Sequence, residues 1–366
     1  MNDDVKSLLN RFSSRPSRRA ILQGLAAIGA SAATLDPLAR ALAQASDEEV
    51  KSITVLTQGG PVVDVLREFA EPMFAKEVPD TAVELEVSSN SVTYPKMIAT
   101  RDDPIVAGGM FNDLFSARGI VDKLWTPLEY ENMPNAEAVP EEIRADDGFT
   151  KIFQQTPYGI MYNPDKVEKP TSWNDLYKPE YKGRVSMWAS NFDAYAMAGV
   201  AAGKGFSVAA GIEAWVPHKQ NIGAWVTSPV AEEDLVARGE MWLAPHWGAW
   251  AEQARASGKN VAFTIPEEGG TLWSNHACCV TGMSPKKTQL TQAYLNTWFA
   301  EEIQREWLSR TFISPAVGTV EIPEELLSNP AVVTPEEAAK LYRLPAAELA
   351  SDFKRYNTMI TRQLQS

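Results

Sequence analysis

The run PYGIMYNPDKVEKPTSWNDLYKPEYKGRV, Pro157 to Val185, decides how the chain is organised. Tyr158 to Tyr162 alternates as a short strand, and Asn163-Pro164 stops it because proline brings no backbone donor. A polar bend follows. Thr171 or Ser172 can then accept from the free N–H groups of a helical turn that holds Asp175 near its start. A second bend, marked by Pro179 and Gly183, leads into a new strand at Val185. Punctuation of this kind carries a chain out of one compact unit and begins another.

The same residues resemble the "PYG…YN…P.SW.DL..PEYKGRV" run of the extracellular solute-binding proteins of ABC importers, nearest to the group that includes the periplasmic polyamine-binding proteins. The resemblance implies an α/β fold of two lobes with mixed, mainly parallel sheets, joined by crossing strands (the type II periplasmic-binding-protein arrangement). It places residues 50–157 and 275–313 in the first lobe and residues 158–274 and 314–366 in the second. It implies a ligand held in the cleft beside the first crossing, a membrane permease as partner, a monomeric chain and no cofactor. Later residues extend the likeness from Gly239 to Met283, where "IPEEGG…W" recurs.

The 366 residues are 45% apolar and 22% charged, ordinary globular proportions for two domains. No window reaches the roughly 18 uncharged apolar residues of a membrane span. Residues 1–45 read as a signal peptide. Arg11, Arg15, Arg18 and Arg19 form a basic start, Ala20 to Leu35 is uncharged, and Ala41 to Ala45 offers small-x-small cleavage sites. Ser17-Arg18-Arg19-Ala20-Ile21-Leu22 resembles a twin-arginine export signal, so a periplasmic location in a Gram-negative cell is expected. Without those residues the net charge moves from −13 to −16, since six basic and three acidic residues leave. That balance argues against nucleic acid, which needs a basic face, and favours a cationic or zwitterionic ligand. Cys278 and Cys279 are the two cysteines; as neighbours they read as buried thiols.

In chain order, residues 51–57 form a buried strand, and Gln58-Gly59-Gly60-Pro61 turns into a helix. Gly59 and Gly60 either open a site for an anion at that helix start or serve the turn alone. Strands over 81–87 and 110–115 follow, with a helix between and polar loops at 88–91 and 116–119. In a right-handed parallel sheet, ligands gather beyond the carboxyl ends of the strands, which selects Gln58 to Gly60, Ser89 to Ser91, and Ser116 to Arg118. Arg118 either forks onto a ligand carboxylate or pairs at the surface. The plan repeats after Val185, with Asp193 in the loop behind the next strand, Ser228 capping a helix, and Trp247 at a later strand end.

Hydrolase and P-loop signatures are missing, and the three histidines show no metal-ligand spacing. The competing class is a secreted enzyme or metal-binding protein on the same fold, with His246, His276 and Asp193 as acid–base or metal groups. Trp242, Trp247, Trp250 and Trp273 fall within 32 residues, and aromatic faces suit amines. Carried over from the polyamine binders, Asp193 resembles the acid that neutralises one amine, and Trp273 matches the tryptophan of the return strand. The family's acid two residues later is Asn275 here, and Gln58-Gly59-Gly60 replaces its aromatic pair. These departures point to a ligand with one amino and one anionic end, or to a monoamine. Tyr158 and Ser228 complete the expected binding residues on the crossing and second-lobe side, facing Ser116 on the first; capture needs no covalent step.

Overall fold

The computed structural model describes residues 49–366 apart from 146 and 190; the export signal expected over residues 1–45 lies outside the described residues. β1 (Ser52–Thr57) is an apolar strand followed by a helix in three parts, α1 (Pro61–Val65), a π turn (Leu66–Ala70) and α2 (Glu71–Glu77). The widened turn lies just before Pro72, which has no N–H to return to the preceding turn. β2 (Ala82–Val87), α3 (Asn90–Ala99), β3 (Gly108–Asn112) and α4 (Asp113–Val121) complete the first βαβαβα run. β4 (Trp125–Thr126) and the long β5 (Thr150–Tyr162) follow.

The plan then repeats. β6 (Val185–Trp188), α5 (Phe192–Ala201), α6 (Val208–Trp215), β7 (Ile222–Val226) and α7 (Pro229–Ala237) lead to β8 (Leu243–Trp247) and α8 (Gly248–Ala256). β9 (Ala262–Thr264) and β10 (Thr271–Val280) bring the chain back. α9 (Pro285–Thr297), α10 (Glu301–Thr311), β11 (Ser314–Pro315), α11 (Pro335–Ala338) and α12 (Ala346–Gln363) close it.

The strands make one mixed sheet in the order β2-β1-β3-β10-β5-β8-β6-β7. Pairing is parallel in its outer runs, β2-β1-β3 and β8-β6-β7. It is antiparallel in the middle, where β10 joins β3 to β5 and β5 joins β8. The α/β class is therefore as expected, with the two parallel runs made continuous by β5 and β10. Every residue of those two strands is buried. One hydrophobic core gathers Ile53, Val55, Phe74, Met110, Trp298 and Trp307; another gathers Trp173, Val185, Met187, Tyr195, Ile212 and Trp215. β5 feeds both, with Ile152 and Phe153 in the first and Tyr158, Ile160 and Tyr162 in the second. α12 packs against both α4 and α6.

Three local boundaries differ from the sequence reading, one of them at Asp193, which lies in the first turn of α5 and not in the loop behind β6. β5 begins eight residues before Tyr158, at Thr150. β3 ends at Asn112 instead of running to Phe115, because the Asn112 side chain accepts from Phe115 N at 3.2 Å and caps α4. Ser116 and Arg118 are consequently helical, not loop residues. Cys278 and Cys279 are buried free thiols in β10, and burial pushes the Cys279 thiol up to about 12.

Candidate functional site

A cavity of about 660 Å³ opens where both parallel runs end. Gln58 and Gly59 reach it from β1, Ser89 and Ser91 from β2, and Asn112 and Asp113 from β3. Trp188 arrives from β6, Thr227 from β7 and Trp247 from β8. The strand-end rule thus holds on both sides of the crossing strands.

Two carboxylates line this cavity. Asp113 starts α4, with Oδ2 accepting from Ser274 N at 2.7 Å and Oδ1 lying 3.0 Å from His276 Nε2. His276 Nδ1 lies 2.9 Å from the Thr150 hydroxyl, which donates to Asp147 at 2.7 Å. The carboxylate is therefore aimed by its neighbours before any ligand arrives. Asp193, in the first turn of α5, accepts from the Thr271 hydroxyl on β10. Burial pushes its carboxyl up to about 7; the Thr271 bond opposes the rise and the charge of Asp113 adds to it. The two acids belong to opposite parallel runs, and the charge of Asp113 acts on Asp193.

Aromatic rings supply most of the remaining wall. Trp247 lies 5.5 Å from Trp188, 5.8 Å from Trp250 and 6.3 Å from Trp273, centroid to centroid. Trp250 meets Trp273 edge-on at 5.3 Å. Such tilted contacts occupy ring edges against faces, and a desolvated cation over a free face gains about 0.5–2 kcal/mol. Phe115, Phe192 and Phe353 also line the cavity, with Leu344 and Leu349 beside the last.

Behind Trp247, His246 is fully buried. Its Nδ1 lies 3.0 Å from Glu232, whose other oxygen accepts from the Ser186 hydroxyl at 2.8 Å. Burial alone would lower the His246 pKa, but Glu232 and Glu233 outweigh it and raise it. Glu233 is in turn bonded to Lys259 at 2.8 Å. His246 and His276 thus sit in separate networks, each with its own carboxylate. Among the described residues no group of three or more metal-capable side chains converges.

Of the residues singled out from sequence, Gln58, Gly59, Asp193, Trp247 and Trp273 line the cavity. Gly60 takes the left-handed turn before α1, with φ 69°. Tyr158 is buried beneath Trp247, 5.6 Å away, and Asn275 is buried with its amide donating to Gln154 at 3.0 Å. Gln58 reaches Asn275 at 3.5 Å. Ser116 donates to Asp113 O within α4, and Ser228 caps α7 by accepting from Ala231 N. The Arg118 guanidinium lies over Tyr94 at 4.7 Å, Phe115 at 5.5 Å and Phe353 at 5.8 Å. Asp113 and Trp188 escaped the sequence reading, whereas Trp250, one of the four clustered tryptophans noted there, lines the cavity as well. Asn-Asp ahead of an apolar run is a helix-start signal that would have found the first, and the strand-end rule would have found the second.

The family model for bacterial extracellular solute-binding proteins matches residues 104–345, about two thirds of the chain. The chain belongs to that family. The spermidine/putrescine-binding periplasmic protein of Escherichia coli is 24% identical over 212 residues, a match covering 55% of this chain and 60% of that protein. Among solved structures, an ABC transporter protein of Clostridium perfringens superposes with a TM-score of 0.72 at 20% identity, covering 85% of this chain and 99% of that one. A spermidine/putrescine ABC transporter substrate-binding protein of Streptococcus pneumoniae gives 0.67 at 18%, covering 84% and 99%. These likenesses show the fold of this solute-binding protein.

Proposed function

We propose that the protein is the solute-capturing component of an ABC importer, working outside the cytoplasmic membrane. It takes a small amine-bearing solute between Asp113 and Asp193. The observation that carries this reading is the pair of carboxylates set on opposite parallel runs of one tryptophan-walled cavity. Capture follows if residues 50–157 with 275–313 and residues 158–274 with 314–366 act as two lobes that hinge about β5 and β10. A ligand touching both sides then favours the closed state by its differential contacts alone. Micromolar affinity, about −8 kcal/mol, is within reach of two charge-assisted contacts and aromatic burial. The curated relatives described as spermidine/putrescine-binding support an amine.

A thermal-shift screen of amines, amino acids, sugars and organic acids tests the reading, because a ligand at 100 times its Kd stabilises by about 2.7 kcal/mol. Amines are expected to raise Tm, and the bound compound should be recovered unchanged after denaturation. Turnover of the compound, or stabilisation by sugars only, would overturn it.

Asp193 adds a pH signature. An ammonium binds the ionised acid, so below a folded-state pKa of about 7 each binding event must release a proton. Affinity is expected to fall about tenfold per pH unit on the acid side of 7. Calorimetry in buffers of different ionisation enthalpy should register uptake of that proton by the buffer. A pH-independent affinity between 5 and 7 would remove Asp193 from the site.

A further inference from the structure

A chain of hydrogen bonds runs from the cavity to the surface through His276, and its geometry fixes how many protons it holds. Asp113 Oδ1 lies 3.0 Å from His276 Nε2, His276 Nδ1 lies 2.9 Å from the Thr150 hydroxyl, and that hydroxyl donates to Asp147 Oδ2 at 2.7 Å. His276 and Thr150 are buried, whereas Asp147 is exposed. The pairing of β10 with β5 skips Phe153 between Asn275 and His276, a bulge of the kind that redirects a side chain.

Each of the three links needs one hydrogen, and a carboxylate stands at either end. Thr150 brings one, which it spends on Asp147. A neutral imidazole brings one more, on Nδ1, and its Nε2 would then meet the Asp113 oxygen lone pair to lone pair. Only a further proton closes the chain, and imidazole is a stronger base than a carboxylate. Asp113 and Asp193 are the charged groups among the described residues that line the cavity, and His276 stands outside that lining. Asp193 and Arg343 also feel the Asp113 charge. With His276 protonated, the Asp113 charge is balanced before a solute arrives, and Asp193 remains the uncompensated acid of the wall. One ammonium can still bridge both carboxylates. A second, desolvated in the same space, finds no charge to balance it and is costly to bury. We propose that His276 is the protonated counter-ion of Asp113 and sets the ligand class to amines with a single ammonium, not diamines. This rests on the amine reading given above.

Nitrogen-15 labelling of the three histidines reads the charge without a ligand. At pH 7 both ring nitrogens of His276 should show the shift of an imidazolium, the signal being assigned by its loss in His276→Gln or by elimination in His218→Gln and His246→Gln. A neutral ring would overturn the assignment. Calorimetry on the full chain at the same pH then compares putrescine with N-acetylputrescine and cadaverine with N-acetylcadaverine, pairs that differ by one ammonium. The acetylated member is expected to bind at least tenfold more tightly. His276→Gln keeps a donor toward Asp113 and removes the charge, so it should shift that ratio at least tenfold toward the diamine. A merely structural role would weaken both members alike. Tighter binding of the diamine by the natural protein, or a ratio untouched by His276→Gln, would overturn the proposal. If no member of either pair binds, the amine reading fails and the ligand class falls with it, while the spectrum still decides the charge on His276.

Discussion

Replacing Asp193 with asparagine should weaken amine binding about a hundredfold or more while leaving the ligand-free protein as stable as before, or more so. Asparagine keeps the oxygen that accepts from Thr271, so the β10 contact survives. What changes is the edge offered to the solute, where an amide N–H₂ would face an ammonium instead of an anion. Truncating one member of a buried charge pair costs on the order of 2–5 kcal/mol of binding. Stability moves the other way. The folded-state pKa of about 7 lies above the usual carboxylate value of 3.8, so between those values the folded protein holds a proton that the unfolded chain has released. Stability therefore falls as pH rises from about 4 to 7, by on the order of 4 kcal/mol for a fully buried group. The asparagine variant should lack that decline. Titration calorimetry at pH 8 and melts at pH 5 and 8 check both halves. Wild-type affinity in the variant would show that Asp193 does not meet the amine.

Gly211→Ala is expected to be the most damaging single methyl in the second core. A Cβ there would stand 1.5 Å from the Tyr195 carbonyl oxygen, 2.5 Å from its carbon and 3.0 Å from Gly199 N. These are backbone atoms of α5, which no rotamer change can move aside. α5 and α6 would have to separate, and the first turn of α5 carries Asp193. Overpacking usually costs 1–3 kcal/mol; a backbone collision of this depth belongs with the exceptional losses above about 4 kcal/mol. The melting temperature should drop by on the order of 10 °C, or the protein should fail to accumulate folded. Gly203→Ala is the comparison. Its φ of 69° strains alanine, but no atom lies within 4 Å, so about 1 kcal/mol is expected. Equal losses at the two sites would mean that close helix approach is unimportant here.

The elements closest to proline and glycine punctuation were the ones legible in the sequence. The strand end at Tyr162, the strand from Val185 to Trp188 and the Ser228-Pro229 helix start fell where expected because turn and cap chemistry is local. Asp113 was lost at a boundary: apolar Met110 to Phe115 read on as strand, and the cap at Asn112 was passed over. Arg118 was legible as a cation but not as one whose partners, Tyr94 and Phe353, stand far away in sequence. The same distance hid Leu349 and Phe353, which join the cavity through the packing of the C-terminal helix, and Leu344 just ahead of it. Continuity of the sheet was likewise invisible, since it depends on β5 and β10 being long enough to serve both parallel runs.

A crystal structure of the full chain with the tightest-binding amine from the screen is the most direct test. The ammonium nitrogen should lie about 2.7–2.9 Å from oxygens of Asp193 and Asp113, its carbon chain against Trp247 and Trp273, and its atoms unaltered. An amine seated away from both carboxylates, or found cleaved in the cavity, would contradict capture at this site.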